Sequence, residues 1–281
     1  MRIRHHLQID RLWSRAPVVA VLRFEGIIMS RPRRGGVSLA SHAAAIERAF
    51  RVSNLAAVAV VVNSPGGSAV QSALLFRRIR ELADEKHVPV IAFAEDVAAS
   101  GGYWLALAGD EIFSEETSIL GSIGVISASF GFSQLIERLG VERRLHTAGE
   151  RKSLLDPFLP QNPADVERLT VLQQDIHRAF KEQVQRRRAG KINAADESLF
   201  NGDVLTGRMA LNRGLVDGIG ELRGVVRARY GDKVKLRPFS AERRRWPLWR
   251  RLPFVAPEPV AAISDIADWI EARLLWARFG L

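Results

Sequence analysis

The sequence contains no cysteine among its 281 residues. Disulfide bonds and metal sites built on thiolates are therefore excluded, since both need cysteine sulfur. The absence leaves the cellular compartment open. We expect neither a metal ion nor a cofactor.

Long apolar runs are missing as well. No segment approaches the ~18 uninterrupted apolar residues that a membrane-spanning helix needs. The apolar run near the N-terminus is short and is broken by Arg23 and Glu25, so it is unlike a secretory signal peptide. We expect a chain that is cytoplasmic or lies peripherally on the inner membrane.

A concentrated basic stripe is a third absence, although the formal net charge is +10. Such an excess favours anionic partners, either nucleic acid or an acidic membrane surface. The arginines are scattered in short groups, and no stripe with interleaved aromatic residues crosses the central region. We interpret most of the charge as solvated surface and expect no nucleic-acid partner.

The apolar pattern that is present predicts an α/β fold. Continuous apolar runs that begin at Leu55 and Val88 are typical of strands buried on both faces. An amphipathic helical pattern lies between them, and this order predicts crossover connections and a mostly parallel sheet. A long helix is expected from Pro163 to about Arg188, with Asn162 as its N-cap.

Three segments are expected along the chain. Residues 1–16 are predicted to form an N-terminal arm and residues 17–240 the main domain, while residues 241–281 combine a basic, aromatic linker with an amphipathic C-terminal helix. Trp269 and Trp276 in this helix suit a membrane interface beside the basic linker. Packing of the helix on its own domain or on a neighbouring protomer explains the pattern equally well.

Two glycine-containing loops follow the predicted strands. The loop "NSPGGS" begins at Asn63, and "DVAASGG" begins at Asp96. Because sites in open α/β sheets lie at the carboxyl ends of parallel strands, we expect these loops to lie close together. Gly66 and Gly67 let the backbone adopt positive φ and approach a ligand. A tight turn without further function is the simpler explanation of this glycine pair alone.

Ser100, in the second loop, is either a helix cap or a nucleophile. Serine is among the commonest N-cap residues. However, Gly101 and Gly102 follow it, and each glycine sacrifices up to ~1 kcal/mol in a helix relative to alanine. A nucleophile explains them, because a substrate backbone needs open space and the next amide can donate to an oxyanion. One such donor contributes roughly 3–4 kcal/mol to catalysis, so the functional explanation is competitive.

A serine nucleophile needs a base. The chain has six histidines, and none lies between His87 and His146. His146 has no obvious acidic partner, and His177 is expected on the surface of the long helix, so a Ser-His-Asp triad is not supported. Lys152 stands alone in a long stretch without other lysines. Lysine can act as a base when it is buried, although a solvated loop lysine is the simpler explanation.

The motifs "AVVVNSPGGS", "VAASGGYW", "GSIGVI" and "AGERKS", in this order and spacing, closely resemble the signal peptide peptidase A family. These proteins are serine peptidases that use a Ser-Lys dyad on the Clp-protease/crotonase fold, a stack of β-β-α units. The resemblance covers roughly Pro17 to Leu222. It implies a homo-oligomer, typically a ring, that degrades cleaved signal peptides or other membrane-derived peptides.

The resemblance also assigns roles to single residues. It implies that Ser100 is the nucleophile and that Lys152 is the general base. It further implies that Gly67 and Gly101 donate backbone amides to the oxyanion, and that the Ser122 hydroxyl orients the lysine. Family members commonly have an N-terminal transmembrane helix, a pattern that this sequence does not show. The basic C-terminal tail also falls outside the resemblance.

The leading hypothesis is a serine endopeptidase that hydrolyses extended, apolar peptides through an acyl-enzyme. Crotonase-like acyl-CoA chemistry on the same fold would explain the oxyanion loops but would leave Ser100, Ser122 and Lys152 unexplained. A non-catalytic, membrane-associated scaffold would show salt-sensitive binding without hydrolysis. The complete dyad favours the peptidase.

Overall fold

The computed structural model describes residues 16–30, 36–149, 151–240, 273 and 275–280. The predicted N-terminal arm, apart from Ala16, lies outside the described residues. The basic linker and most of the C-terminal helix, including Trp269, lie outside them too. The predicted segment boundaries and the membrane contact of the tail therefore stay predictions.

Strands and helices mostly alternate along the main domain. The strands are β1 (Val18–Glu25), β2 (Leu55–Ser64), β3 (Val90–Ala99), β4 (Glu111–Ser114), β5 (Ile119–Gly121), β6 (Val204–Thr206), β7 (Gly218–Ile219) and β8 (Lys235–Phe239). The helices are α1 (Leu39–Phe50), α2 (Ala69–Lys86), α3 (Gly101–Ala106), α4 (Ser133–Arg138), α5 (Pro163–Arg187), α6 (Gly207–Asn212) and α7 (Leu222–Tyr230), with a 3₁₀ turn at Glu197–Phe200.

Within the described residues, the strands form one sheet. Its order is β6-β5-β3-β2-β1-β8, with β4 beside β3 and β7 beside β4. The pairings of these strands are parallel except that of β5 with β6. The predicted α/β class with a mostly parallel sheet is therefore confirmed. Because β2 and β3 run in the same direction, the loops that follow them leave the sheet at the same edge.

Both faces of the central strands are buried, as their continuous apolar runs predict. In β2, Val58 and Val60 belong to the core that α1, α2 and α3 cover, whereas Ala57 and Val61 belong to a smaller core beside α7. All four side chains are at most 1% exposed. Burial of apolar surface is the main favourable contribution to folding. It therefore fixes the positions of β2 and β3, from which the two glycine-containing loops extend.

Helix α5 covers the short helix that follows Ser100. It begins at the predicted N-cap, since the Asn162 side chain accepts a hydrogen bond from the backbone of the first turn. Phe180 and Val184 on its inner face are buried. Phe180 stacks on Trp104 of α3 with ring centroids 4.8 Å apart. The contact of α5 with α3 is thus an aromatic one.

A nearly buried ion pair follows α5. Arg188, whose side chain is 2% exposed, places Nη1 2.6 Å from Oδ2 of Asp217. Lys191 and the Ile112 amide also donate to the Asp217 carboxylate. Burial alone would raise the pKa of Asp217, but the hydrogen bonds from Arg188, Lys191 and Ile112 outweigh it and hold the pKa below its ordinary value.

Asp217→Asn should destabilise the fold, because it leaves Arg188 buried without a counter-charge. Breaking a buried pair in this way costs about 3 kcal/mol, and urea denaturation at pH 7 measures the loss. The folded-state pKa of Asp217 lies below the unfolded value, so its contribution is fully present above about pH 4 and is lost as the pH falls through the folded value. The stability difference between the two proteins should therefore shrink in acid.

Asp232→Asn is the matched control, because Asp232 is exposed. It should change the free energy of unfolding by less than about 0.5 kcal/mol. Equal stability of the Asp217→Asn variant and the unaltered protein at pH 7 would contradict the importance of the ion pair.

Candidate active site

The two glycine-containing loops meet at the carboxyl edge of the sheet, as the sequence predicts. Ser64 at the end of β2 pairs with Ala98 of β3. The Ser64 hydroxyl accepts a hydrogen bond of 3.1 Å from the Gly66 amide, which fixes the turn. A methyl group on Gly66 would come within 2.8 Å of the Ser100 Cβ. The first loop therefore lies directly against the predicted nucleophile.

Ser100 forms a strained turn between β3 and α3. Its backbone adopts φ +52° and ψ −121°, and within the described residues its side chain makes no capping hydrogen bond. Such a conformation costs a non-glycine residue on the order of 1–3 kcal/mol. Its N–H donates to the Gly121 carbonyl at 2.8 Å, and its carbonyl accepts from the Trp104 amide at 3.0 Å. A strained strand-to-helix turn is typical of nucleophilic serines, so the simple cap explanation loses support.

A second strained serine follows β5. Ser122 has φ +49°, and its amide donates to the Asp203 carbonyl at 2.7 Å. Gly121, immediately before it, accepts the hydrogen bond from the Ser100 amide. The structure therefore brings the predicted orienting serine beside the backbone of the predicted nucleophile.

The backbones of Gly67 and Gly101 approach each other closely. Among the described residues, neither backbone amide has a hydrogen-bond partner. A methyl group on Gly101 would come within 3.5 Å of the Gly67 nitrogen. Gly67 has φ +133°, and a methyl group there would meet the Ile28 carbonyl oxygen at 2.1 Å, so only glycine fits. Two adjacent amides beside a serine are suited to stabilising an oxyanion.

The aromatic side chains of α3 fix the position of its first residues. Tyr103 is fully buried, and its hydroxyl donates to the Leu215 carbonyl at 2.7 Å. Burial raises the pKa of this hydroxyl above its ordinary value, so the group stays protonated and remains a donor. Trp104 stacks on Phe180, as described above. The Tyr103 contact has no signal in the sequence, because the partner is a backbone carbonyl more than a hundred residues away.

The structure does not bring Lys152 to Ser100. Lys152 is exposed, and among the described residues no hydrogen bond joins its side chain to Ser100 or Ser122. Its backbone amide donates to the Gly149 carbonyl at 3.2 Å. Residues 126–149, which lead to it from the site, are almost entirely exposed. The Ser-Lys dyad stays a prediction.

The expectation that His177 is an ordinary surface residue is wrong. The ring is half-buried, and its Nε2 lies 3.1 Å from the Ile123 carbonyl oxygen. The spacing of three residues between His177 and the buried Phe180 puts both on one face of α5. The spacing is the sequence signal that His177 faces the domain, but the charged residues around it favour an exposed position. His146 is exposed.

The sequence profile of peptidase family S49 matches residues 82–235. This range covers more than half of the chain and contains Ser100, Ser122 and Lys152. The chain belongs to peptidase family S49. The resemblance to the signal peptide peptidase A family is thereby confirmed.

Similar proteins carry several names. A Brucella abortus protein named Na(+)/H(+) antiporter NhaA is 47% identical over 274 residues, a match that covers 94% of this chain and 37% of that protein. The chloroplastic serine protease SPPA of Arabidopsis thaliana is 35% identical over 181 residues, covering 64% of this chain and 26% of that protein. The chain therefore spans less than half the length of either relative.

A solved structure, the 1510-N membrane-bound stomatin-specific protease, has 18% sequence identity to this chain and a TM-score of 0.46. The match covers 81% of this chain and 100% of the other.

In the described part of this chain, no helix combines the length and apolar character needed to cross a membrane. Within the same ranges, no group of three or more His, Asp or Glu side chains is arranged to hold a metal ion.

Gly101→Ala should disturb the site through one identifiable contact. The added methyl group would meet the Ser72 hydroxyl oxygen at 2.4 Å, whereas its next contacts lie at 3.5 Å and beyond. We expect a loss of about 1–3 kcal/mol in the free energy of unfolding from overpacking. Because Ser72→Ala removes the clashing oxygen, the double variant should recover most of this loss in urea denaturation.

Gly67→Ala is the matched comparison, since its methyl group meets the backbone of Ile28. Ser72→Ala should not rescue it. Equal destabilisation of the Gly101→Ala variant with and without Ser72→Ala would contradict the close approach of Gly101 to the Ser72 hydroxyl.

Proposed function

We propose that the chain is a serine endopeptidase that hydrolyses extended, largely apolar peptides through an acyl-enzyme intermediate. The observation that carries this proposal is the strained strand-to-helix turn at Ser100, with the amides of Gly67 and Gly101 beside it. Membership of peptidase family S49 supports it. The name of the Arabidopsis relative, a serine protease, supports the same class.

The proposed reaction has two halves. Ser100 Oγ attacks the scissile carbonyl carbon while a base takes its proton, and the amides of Gly67 and Gly101 donate to the developing oxyanion. Collapse of this intermediate breaks the C–N bond, and the base gives its proton to the leaving amine. Water then attacks the acyl-enzyme carbonyl carbon while the same base takes a proton from the water. The bond between this carbon and Ser100 Oγ breaks, the base returns the proton to Oγ, and the peptide leaves with a new carboxyl terminus.

Lys152 is the proposed base. A lysine serves as a base only where its surroundings favour the neutral form, and burial does so. Lys152 is exposed in the single chain. We therefore propose that its segment becomes covered in the active assembly, where Lys152 lies next to Ser100 and Ser122.

A ring-shaped homo-oligomer is the proposed assembly. Apolar side chains that the single chain leaves in water follow the Ser122 loop and continue towards Lys152. The exposed ones are Ile126, Phe130, Phe132, Leu135, Leu139, Val141 and Leu145, which we call the 126–145 surface. Large exposed apolar patches are typical of interaction sites, and this supports the proposed assembly. A second copy of the chain would cover the 126–145 surface and exclude water from Lys152, and the ring itself follows from the family resemblance.

The proposed substrates are cleaved signal peptides or fragments of membrane proteins. This class follows from the resemblance to the signal peptide peptidase A family, and its members are apolar peptides that bind in extended form. Acyl-CoA chemistry, the alternative in another enzyme class, gives no reason for the strained conformation of Ser100. We therefore favour peptide hydrolysis.

Ser100→Ala and Lys152→Ala should each lower kcat for cleavage of an apolar reporter peptide by at least about 10³-fold. The first removes the attacking oxygen, and the second removes the group that accepts its proton. Peptide cleavage followed by mass spectrometry measures the loss, and thermal unfolding confirms that each variant is folded. Ser127→Ala and Arg151→Ala alter exposed neighbours and should retain activity. Full activity in either dyad variant would refute the dyad.

Leu139→Asp should weaken the proposed assembly. Leu139 is 68% exposed in the single chain, and burying an unpaired charge at an interface is costly. Sedimentation velocity should show a smaller particle than for the unaltered protein, and peptide cleavage should fall because Lys152 loses its cover. Met209→Asp, at a residue 48% exposed on α6, should change neither. A fully active monomer of the unaltered protein would contradict the proposed assembly.

A further inference from the structure

Helix α5 contacts both sides of the proposed site. Phe180 of α5 stacks on Trp104 of α3, with ring centroids 4.8 Å apart and an interplanar angle of 25°. Nearly one turn earlier, Nε2 of His177 lies 3.1 Å from the carbonyl oxygen of Ile123. Ile123 directly follows Ser122, and α3 begins directly after the proposed nucleophile. Helix α5 therefore contacts both the helix that follows Ser100 and the loop that follows Ser122.

The contact of His177 identifies the ring nitrogen that carries a proton. A carbonyl oxygen only accepts hydrogen bonds, so Nε2 must be the donor. The His177 ring is half-buried, whereas its neighbours Ile176 and Arg178 are exposed. The side chain therefore lies against the loop, and its removal would take this donor away from the Ile123 carbonyl.

The loop around Ser122 is attached through Ile123, whose side chain is fully buried in the core and whose carbonyl oxygen accepts the His177 hydrogen bond. Ser122 has φ +49°, a conformation that persists only when the surroundings enforce it. On the side of the sheet, its amide donates to the Asp203 carbonyl at 2.7 Å, and the Gly124 amide turns back to the Ser122 carbonyl at 2.9 Å. Beyond this turn, residues 126–149 are almost entirely exposed. The His177 hydrogen bond thus lies between the strained serine and a segment with little support.

We infer that His177 is a positioning residue of the peptidase, which holds Ser122 through Ile123 in the conformation that the lysine base requires. This inference rests on the proposed function of Ser100 and Lys152. His177 acts only through the loop. Its loss should therefore slow the attack by Ser100 more than it weakens substrate binding.

Three variants of the full chain test this role. His177→Ala removes the donor, His177→Gln keeps an N–H at a comparable distance from the backbone, and Gln174→Ala alters an exposed residue nearly one turn earlier on α5. We expect His177→Ala to lower kcat for peptide cleavage about tenfold while KM changes less than about twofold, because small displacements at a reacting centre have large effects on rate. The rate at which a fluorophosphonate labels Ser100 should fall by the same factor.

The His177→Gln variant should recover kcat and the labelling rate to within about threefold of the unaltered protein. The control Gln174→Ala should have the same kcat and labelling rate as the unaltered protein. Unchanged rates in His177→Ala would overturn the inference and leave the proposed function intact. The inference would also be overturned if His177→Ala and His177→Gln lost activity equally and in proportion to a fall in unfolding temperature. That result would indicate a purely structural role for His177. If the unaltered protein neither cleaves peptides nor is labelled at Ser100, the proposed function itself fails and this inference with it.

Discussion

The rest of the site depends on the backbone of Ser100, which is held in a conformation that serine does not favour. The positive φ turns the chain from β3 into α3 within one residue. The amide of Ser100 is bonded to Gly121 and its carbonyl to Trp104, so neighbouring elements fix both sides of the strained unit. A strain on the order of 1–3 kcal/mol persists only where the surrounding structure over-determines it.

That surrounding structure reaches far from the serine itself. Tyr103 of α3 is bonded to the carbonyl of Leu215, and Arg188 is bonded to the preceding carbonyl of Gly214 at 2.8 Å as well as to Asp217. These contacts therefore join the end of α5, the segment before β7 and the helix that follows Ser100. The position of Ser100 thus depends on the hydrogen bond of Tyr103 and the stacking of Trp104, the α3 side chains that attach this helix to the rest of the domain.

Parts of this arrangement could be predicted from the sequence because they depend on local patterns. Apolar runs at Leu55 and Val88 identified strands buried on both faces, and the glycines at 67 and 101 identified the two loops that meet. The hydrogen bonds of Tyr103 and His177 could not be predicted, because both donate to backbone carbonyls, which carry no sequence signal. The spacing of His177 from Phe180 indicates only that both side chains share one face of α5. The position of Lys152 could not be predicted either, because residues 126–149, which lead to it, are almost entirely exposed and are not fixed by core packing.

Mapping a covalent adduct tests the central claim most directly. The full-length protein would be treated with a serine-reactive phosphonate, digested and analysed by mass spectrometry. We expect one modified residue, Ser100, and much slower labelling in the Lys152→Ala variant than in the unaltered protein. Modification of a different serine, or no adduct in a folded and assembled protein, would contradict the assignment of Ser100 as the nucleophile.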